Sequence, residues 1–146
     1  MYFYCETCKK EYPLNTHLYR CECGGMLSLH KDPEDVLASG ITLGEFETPL
    51  LPFTVDKLDF LLKLENLQPT GSFKDRGAYT LINELHRLGI KEIALDSSGN
   101  AGASMAAYAA AADMKCTVYV PDDISQEKVA RLRRMARRSS RWPMGA

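Results

Sequence analysis

The amino-acid sequence predicts an α/β protein, with a parallel sheet flanked by helices and a small cysteine-bearing segment before it. Short apolar runs alternate with helical patterns over residues 60–138, and glycine- or proline-bearing turns separate them. Four cysteines fall in two close pairs between Cys5 and Cys23. Repeated β-α units of this length favour a parallel sheet whose helices cover both faces.

The 146 residues are 45% hydrophobic and 25% charged, with a net charge of −1. That describes one globular domain, or one domain plus a small appendage, and it is enough chain to bury a core without staples. A near-neutral balance gives no case for a nucleic-acid or membrane-surface partner. No apolar run approaches the roughly 20 residues of a membrane helix. Met1-Tyr2-Phe3-Tyr4-Cys5-Glu6 lacks the basic and apolar regions of a signal peptide. A cytoplasmic protein is therefore expected, and cysteines there are more often ligands or buried thiols than disulfides.

Four zones differ in character. Residues 1–31 are aromatic and cysteine-bearing, too few to form a core alone. Residues 32–59 read as a connector, with a short helix expected over Pro33–Ser39 and an extended Thr48-Pro49-Leu50-Leu51-Pro52, because each proline disfavours helix before it. Residues 60–138 carry the alternation, and residues 139–146 form an atypical tail.

Within the third zone Phe60–Leu64 is a short strand candidate. Phe73–Leu88 reads as a helix, with Ala78, Leu81, Ile82, Leu85 and Leu88 on its apolar face and Gly89 as its stop. Glu92–Leu95 reads as a buried strand, and Asn100–Ala112 as a helix whose alanines permit close packing on a sheet. Lys115–Val120 is strand again, ended by Pro121. Ser125–Arg138 is the last helix, with Ser125 as its N-cap and Lys128 where a capping box prefers Glu. From Arg137 to Ala146 the periodicity stops and the next strand does not arrive, so a truncated or frameshifted end after about residue 135 is expected. An unfinished sheet edge would also invite association, which places a homo-oligomer among the expectations.

Cys5-x-x-Cys8 and Cys21-Glu22-Cys23 are two pairs joined by a short loop, the donor set of a tetrahedral zinc site with thiolates at about 2.3 Å. Residues 1–31 thus read as a zinc-ribbon-like segment with structural zinc on Cys5, Cys8, Cys21 and Cys23. Four free thiols are the plainer alternative; a nucleic-acid ribbon is a third, thinly supported by Lys9, Lys10 and Arg20. Cys116, alone inside a strand, reads as a small buried hydrophobe.

Lys74 follows Pro69-Thr70-Gly71-Ser72 at the start of a helix. A Schiff-base lysine must shed its proton near neutral pH, and the positive end of a helix dipole disfavours the ammonium form. Most lysines in a first turn are merely solvated, so this position alone does not decide. Asp96-Ser97-Ser98-Gly99-Asn100-Ala101-Gly102 follows a strand and opens a helix, placing backbone N–H groups where a carboxylate or phosphate can bind. Ligands gather at such carboxyl ends of strands in open α/β sheets. An ordinary glycine-bearing β-α turn is the alternative.

Ser72-Phe73-Lys74-Asp75-Arg76-Gly77 resembles the cofactor-lysine motif of the threonine synthases, and Ser97-Ser98-Gly99-Asn100-Ala101-Gly102 resembles their asparagine loop. Thr48-Pro49-Leu50 is similar to the substrate-side element of the fold-type II pyridoxal-phosphate enzymes, and the cysteine-rich start resembles an amino-terminal extension of some threonine synthases. The likeness covers nearly all of residues 1–135, and within the superfamily the threonine synthase assignment rests mainly on Asp75-Arg76.

The resemblance implies an incomplete fold-type II domain and pyridoxal 5'-phosphate as cofactor. Lys74 would be the catalytic residue, holding the cofactor and then shuttling protons at the substrate Cα and Cβ. Asn100 would contact the 3′-hydroxyl of the ring. Ser97, Ser98, Gly99 and Ala101 would lie beside the substrate carboxylate, with Thr48 on the substrate side. Phe73 would pack beneath the loop, and Asp75 and Arg76 would brace it; without the resemblance they read as a surface ion pair. The implied reaction converts O-phosphohomoserine and water to threonine and phosphate, so a small amino-acid phosphate is the expected partner. The family's glycine-rich phosphate loop and its residue for the ring nitrogen are not found in this sequence, so an inactive fragment is expected. A serine or threonine dehydratase or cysteate synthase relative shares the lysine loop, and a noncatalytic zinc-containing module is the contrasting class.

Overall fold

The computed structural model describes residues 1–35 and 37–136. The tail 139–146, together with Arg137 and Arg138, lies outside the described residues, as does the end expected after about residue 135. The chain divides into two compact units, a first over Met1–Leu37 and a second that begins at Ala38.

The first unit is a three-stranded antiparallel sheet in the order β2-β1-β3, built from β1 (Tyr2–Cys5), β2 (Glu11–Tyr12) and β3 (Leu27–His30). Its buried cluster is only Cys5, Tyr12 and Cys21, with Phe3 and Leu27 against them. Two tight turns carry the cysteine pairs. In one, the Lys9 amide donates to the Cys5 carbonyl at 2.9 Å with Lys9 at φ +61°. In the other, Gly24 (φ +83°) donates to the Cys21 carbonyl at 2.8 Å while the Cys21 amide donates to the Gly25 carbonyl at 2.9 Å. Gly24 supplies the left-handed step at no steric cost. Among the described residues the helix expected over Pro33–Ser39 does not form: Pro33 and Glu34 lie in a turn, and the Asp35 carboxylate accepts from the Asp32 amide and the amino terminus, both at 2.8 Å. That local bonding offers the backbone an alternative to helix.

The second unit opens with a hairpin of β4 (Leu50–Val55) and β5 (Leu58–Lys63), paired Leu50↔Lys63 through Val55↔Leu58. The strand expected at 60–64 is therefore present, but it pairs antiparallel with β4. The reason lies in Asp56 and Lys57, at φ +50° and +66°, whose paired left-handed conformations make the two-residue turn that matches strand twist. Then follow α1 (Lys74–Arg87), β6 (Glu92–Asp96), α2 (Asn100–Ala111), β7 (Lys115–Tyr119) and α3 (Gln126–Ala136). β6 and β7 are parallel, Glu92 opposite Lys115 and Asp96 opposite Tyr119, so the α/β class with a parallel pairing is what the structure shows.

The helical stops and starts follow the sequence. Gly89, at φ +78°, donates to the His86 carbonyl and Ile90 to the Leu85 carbonyl, the paired bonds that close a helix over a left-handed glycine. The Ser125 hydroxyl accepts from the Lys128 amide at 3.5 Å, a loose N-cap for α3. The core joins Ala78 and Ile82 of α1, Ala106, Tyr108 and Ala109 of α2, Met114, Cys116 of β7 and Ala136 of α3. Small side chains along α2 let the other helices and β7 approach it closely. Two expectations are corrected. Leu81 is exposed, while Asn83 takes a buried place by accepting from the Ile41 amide and donating to the Ile41 and Tyr79 carbonyls, each at 2.9 Å. Residues 92–95 are not a buried strand, and among the described residues no helix covers the second face: Ile93 and Leu95 pack on the core while Glu92, Ala94 and Asp96 lie exposed. A two-stranded sheet with helices on one side buries every second residue.

Candidate active site

The lysine loop begins with a turn. Gly71 (φ +85°) donates to the Gln68 carbonyl at 2.7 Å across Pro69 and Thr70, proline presetting the second turn residue. Lys74 then opens α1. Its side chain is exposed, with Nζ 4.7 Å from the centroid of the Phe73 ring. Phe73 is itself 56% exposed, so it does not pack beneath the loop. The Ser72 hydroxyl is buried and has no hydrogen-bond partner among the described residues, which is unusual for a buried polar group.

Asp75 and Arg76 do not form a surface ion pair with each other. Asp75 is fully buried: its carboxylate accepts from the Thr70 amide at 2.7 Å, from the Thr70 hydroxyl, and from the Ser104 hydroxyl on α2 at 2.6 Å. It therefore ties the loop before Lys74 to the next helix. The sequence places this acid beside a basic residue in a motif rich in charge, and nothing in the spacing announces three converging donors. Arg76 instead reaches back to Glu65, donating through Nε at 2.9 Å and Nη2 at 2.8 Å. Hydrogen bonds from Arg76 and then from the Thr48 hydroxyl (2.6 Å) hold the Glu65 carboxyl down at about 2. Thr48 is buried, its hydroxyl committed to Glu65 and its carbonyl accepting from Lys63.

The asparagine loop leaves β6 with the Ser97 amide donating to the Tyr119 carbonyl at 3.0 Å. The Ser97 hydroxyl accepts from Gly99 at 3.3 Å and Gly102 at 2.9 Å. The amides of Asn100 and Ala101 between them meet no acceptor among the described residues, as expected for the first turn of a helix. Gly102 is needed for this packing: a Cβ there would lie 2.9 Å from the Ser97 carbonyl oxygen and 3.2 Å from a Leu132 methyl. Ser98 and Ala101 are half-buried, and Gly99 is exposed in extended backbone at the start of α2. Asn100 is exposed, and its Oδ1 accepts from Arg131 of α3 at 2.7 Å.

The two loops therefore meet through α2 and α3, by Asp75–Ser104 on one side and by Arg131 on the other. Among the described residues no hydrogen bond joins Lys74 directly to Ser97–Ala101. A cleft of about 570 Å³ is lined by Ser39, Gly40, Thr42, Glu45, Phe46, Arg76 and Tyr79, and none of Lys74, Ser97 or Asn100 lines it.

In the first unit the sulfur atoms of Cys5, Cys8, Cys21 and Cys23 all lie within 4.8 Å of one another. Cys5–Cys23 and Cys8–Cys21 are each 3.5 Å apart. Four thiolates at about 2.3 Å from one ion stand roughly 3.8 Å apart, so the cluster could hold a metal. The Cys8 amide lies 3.5 Å from the Cys5 sulfur. The Tyr12 hydroxyl, 3.0 Å from Cys21, lowers that thiol to about 6. Gly25 leaves no room for a side chain, since a Cβ would sit 2.6 Å from the Cys5 sulfur. No helix among the described residues is long and apolar enough to cross a membrane.

Residues 41–138 match the family described as "Pyridoxal-phosphate dependent enzyme". A threonine synthase of Methanocaldococcus jannaschii is 30% identical over 150 residues, covering 81% of this chain and 37% of that protein. Another, of Halalkalibacterium halodurans, is 38% identical over 86 residues, or 56% of this chain and 24% of that one. The chain thus spans well under half the length of these relatives. Among solved structures, a hydrogen sulfide-producing enzyme from Fusobacterium nucleatum is 28% identical with a TM-score of 0.55, over 61% of this chain and 29% of that one. A processed threonine deaminase from Solanum lycopersicum is 27% identical with a TM-score of 0.54, over 62% and 26%.

Proposed function

The chain belongs to the pyridoxal-phosphate-dependent enzyme family, and we propose that it carries the lysine-bearing part of a threonine synthase-like site acting on O-phosphohomoserine and water to give threonine and phosphate. The observation that carries this reading is the meeting of the two loops, each opening a helix, braced by Asp75–Ser104 and by Arg131. The threonine synthases among its relatives supply the substrate class. The threonine deaminase likeness supports a dehydratase as the second reading.

Of the cofactor's holders the chain carries the lysine and asparagine loops, and the residues in these two fit it. Lys74 Nζ is exposed and takes part in no ion pair among the described residues. The Ser72 hydroxyl, two residues away, is buried without a partner among the described residues, and the first-turn amides of α2 would suit an anion. Pyridoxal phosphate, when bound, supplies an electron sink for a carbanion beside the amino group of an amino acid. Lys74 would hold the cofactor and then carry a proton on Nζ between the substrate Cα and Cβ. Asn100 would hold the ring oxygen. Ser97, Ser98, Gly99 and Ala101 would receive the substrate carboxylate at the start of α2, and Thr48 would keep the substrate side in place by fixing Glu65.

Adding pyridoxal phosphate to the chain should produce a visible absorption band that Lys74→Ala abolishes; no band in the unsubstituted chain overturns the reading. Incubation with O-phosphohomoserine, phosphoserine or threonine separates the substrates, and release of 2-oxobutyrate from threonine would favour the dehydratase. For the four cysteines we propose structural zinc, because a cluster of three buried residues offers the first unit little else. Metal analysis after exhaustive dialysis tests it, and a folded metal-free first unit would refute it.

A further inference from the structure

Arg131 is half-buried on α3 and reaches two different loops. Its Nη1 donates to Asn100 Oδ1 at 2.7 Å, and its Nη2 donates to the Thr70 carbonyl at 2.9 Å. Both acceptors are neutral, and no carboxylate pairs with this guanidinium among the described residues. A cation beside the first turn of α2 is disfavoured by the helix dipole, so charge does not account for its place. Fork geometry does: a planar group with several fixed donors can span two acceptors, which an ammonium on a flexible stem does poorly. The turn at Gly71 leaves the guanidinium room: even a Cβ there would meet Nη2 only at 4.0 Å.

An asparagine carboxamide can turn over and exchange its oxygen and nitrogen. A fixed donor at Oδ1 removes that freedom and leaves Nδ2 as the outward donor. We propose that Arg131 is a positioning residue, which fixes the Asn100 carboxamide with Nδ2 available to a bound ring oxygen and locks the asparagine loop to the lysine loop. This rests on the reading of Lys74 and Asn100 as the cofactor's holders. The site is then assembled in advance, so that binding orders less of the protein and is stronger for it.

The test uses the 146-residue chain in two arms, with Arg131→Met to remove the donors, Arg131→Lys to keep the charge without the fork, and Arg133→Met on the same helix as control. Without cofactor, the side-chain amide of Asn100 and the backbone amide of Gly71 are followed by nuclear magnetic resonance. Arg131→Met should move both signals and speed exchange at Gly71 by about tenfold, while core signals such as Ile82 stay in place. Arg131→Lys should give the same changes at reduced size, and Arg133→Met neither. An Asn100 side-chain signal unmoved in both Arg131 variants overturns the proposal, because a merely stabilising residue would not single out that amide.

In the second arm pyridoxal phosphate is titrated while the Lys74-dependent band is recorded. Arg131→Met should bind about tenfold more weakly, yet in an Asn100→Ala background it should cost less than about twofold further. Full additivity of the two substitutions also overturns the proposal. A wild-type chain with no such band overturns the reading of Lys74 instead, and the amide signals still decide whether Arg131 holds Asn100.

Discussion

Where the second unit packs Ala106, Tyr108, Ala109 and Ile82 into its interior, the first has Cys5, Cys21 and one tyrosine ring. The second unit also encloses a carboxylate, Asp75, and satisfies it with three donors from Thr70 and Ser104. The first encloses sulfur, which accepts from the Tyr12 hydroxyl and from the backbone amides of Thr7, Cys8, Cys23 and Gly25. Apolar burial yields roughly 25 cal/mol per Å², and two buried cysteines with one tyrosine cannot offset the cost of ordering a chain of that length. One unit therefore holds itself by packing and hydrogen bonds, while the other calls for an additional bond, which a metal would supply.

Removing the zinc proposed for the four cysteines gives the largest expected effect. Structural zinc contributes on the order of 10 kcal/mol in small thiolate sites, so a strong chelator, or Cys5→Ser, should abolish the dispersed amide signals of residues 1–35 while those of Ile82 and Met114 persist. Loss of both sets together would show that the units are not independent in stability. The next effect belongs to the second unit. In Asp75→Asn one of the two acceptor oxygens becomes an NH2 donor in a fully buried site, so that either the Thr70 amide or the Thr70 and Ser104 hydroxyls lose their acceptor. A loss of about 3 kcal/mol is expected, read as a lower denaturant midpoint of the helical signal with the slope unchanged. A loss below about 1 kcal/mol would mean that the Thr70–Asp75–Ser104 contacts are incidental.

Much of this contrast is legible in the sequence, because it rests on local rules. Two close cysteine pairs, the glycines Gly24 and Gly25 beside them, Gly89 as a helix stop and Pro121 after a strand each act through neighbouring backbone, and each stands where its residue type requires. What is not legible acts at a distance. Arg131 meets its partners 31 and 61 positions away, and no periodicity marks it among five arginines within eight residues of the sequence. Asp75 looks like half of an exposed pair until the fold brings Ser104 against it. The hairpin was hidden for another reason: Asp56-Lys57 lacks the glycine that usually reports a two-residue turn, so β4 reads as a connector. Leu81 obeys the helical period and is nonetheless exposed, since period gives the face of a helix but not how much of that face the neighbours cover.

Acid tests the second unit next. Glu65 is held at about 2, below the ordinary 4.5, chiefly by Arg76. A carboxyl whose folded value is depressed gives stability that is fully present above its unfolded value and lost as pH falls toward the folded one. The second unit should therefore weaken between about pH 4.5 and 2 by an amount that Glu65→Gln removes. Denaturation of the two proteins at pH 6, 4 and 3 checks this: the curves should converge as the pH falls. Parallel curves would place the acid sensitivity elsewhere.

The smallest effect is expected from the exposed charges, and it tests whether ion pairs matter to either unit. Glu92 and Lys115 face each other across the parallel pair on its open side, with side chains 57% and 48% exposed. Their attraction is screened by water and salt, and two long side chains must be held in one arrangement to realise it, so such pairs rarely exceed a few tenths of a kcal/mol. A double-mutant cycle with Glu92→Gln and Lys115→Met should give a coupling of about 0.3 kcal/mol that disappears at high salt. Lys10 and Glu22 form the corresponding pair in the first unit at 2.8 Å, more exposed still, and removing either side chain should leave that unit's amide dispersion intact. A coupling near that expected of Asp75 would mean that surface charge, and not burial or metal, holds the parallel pair in register.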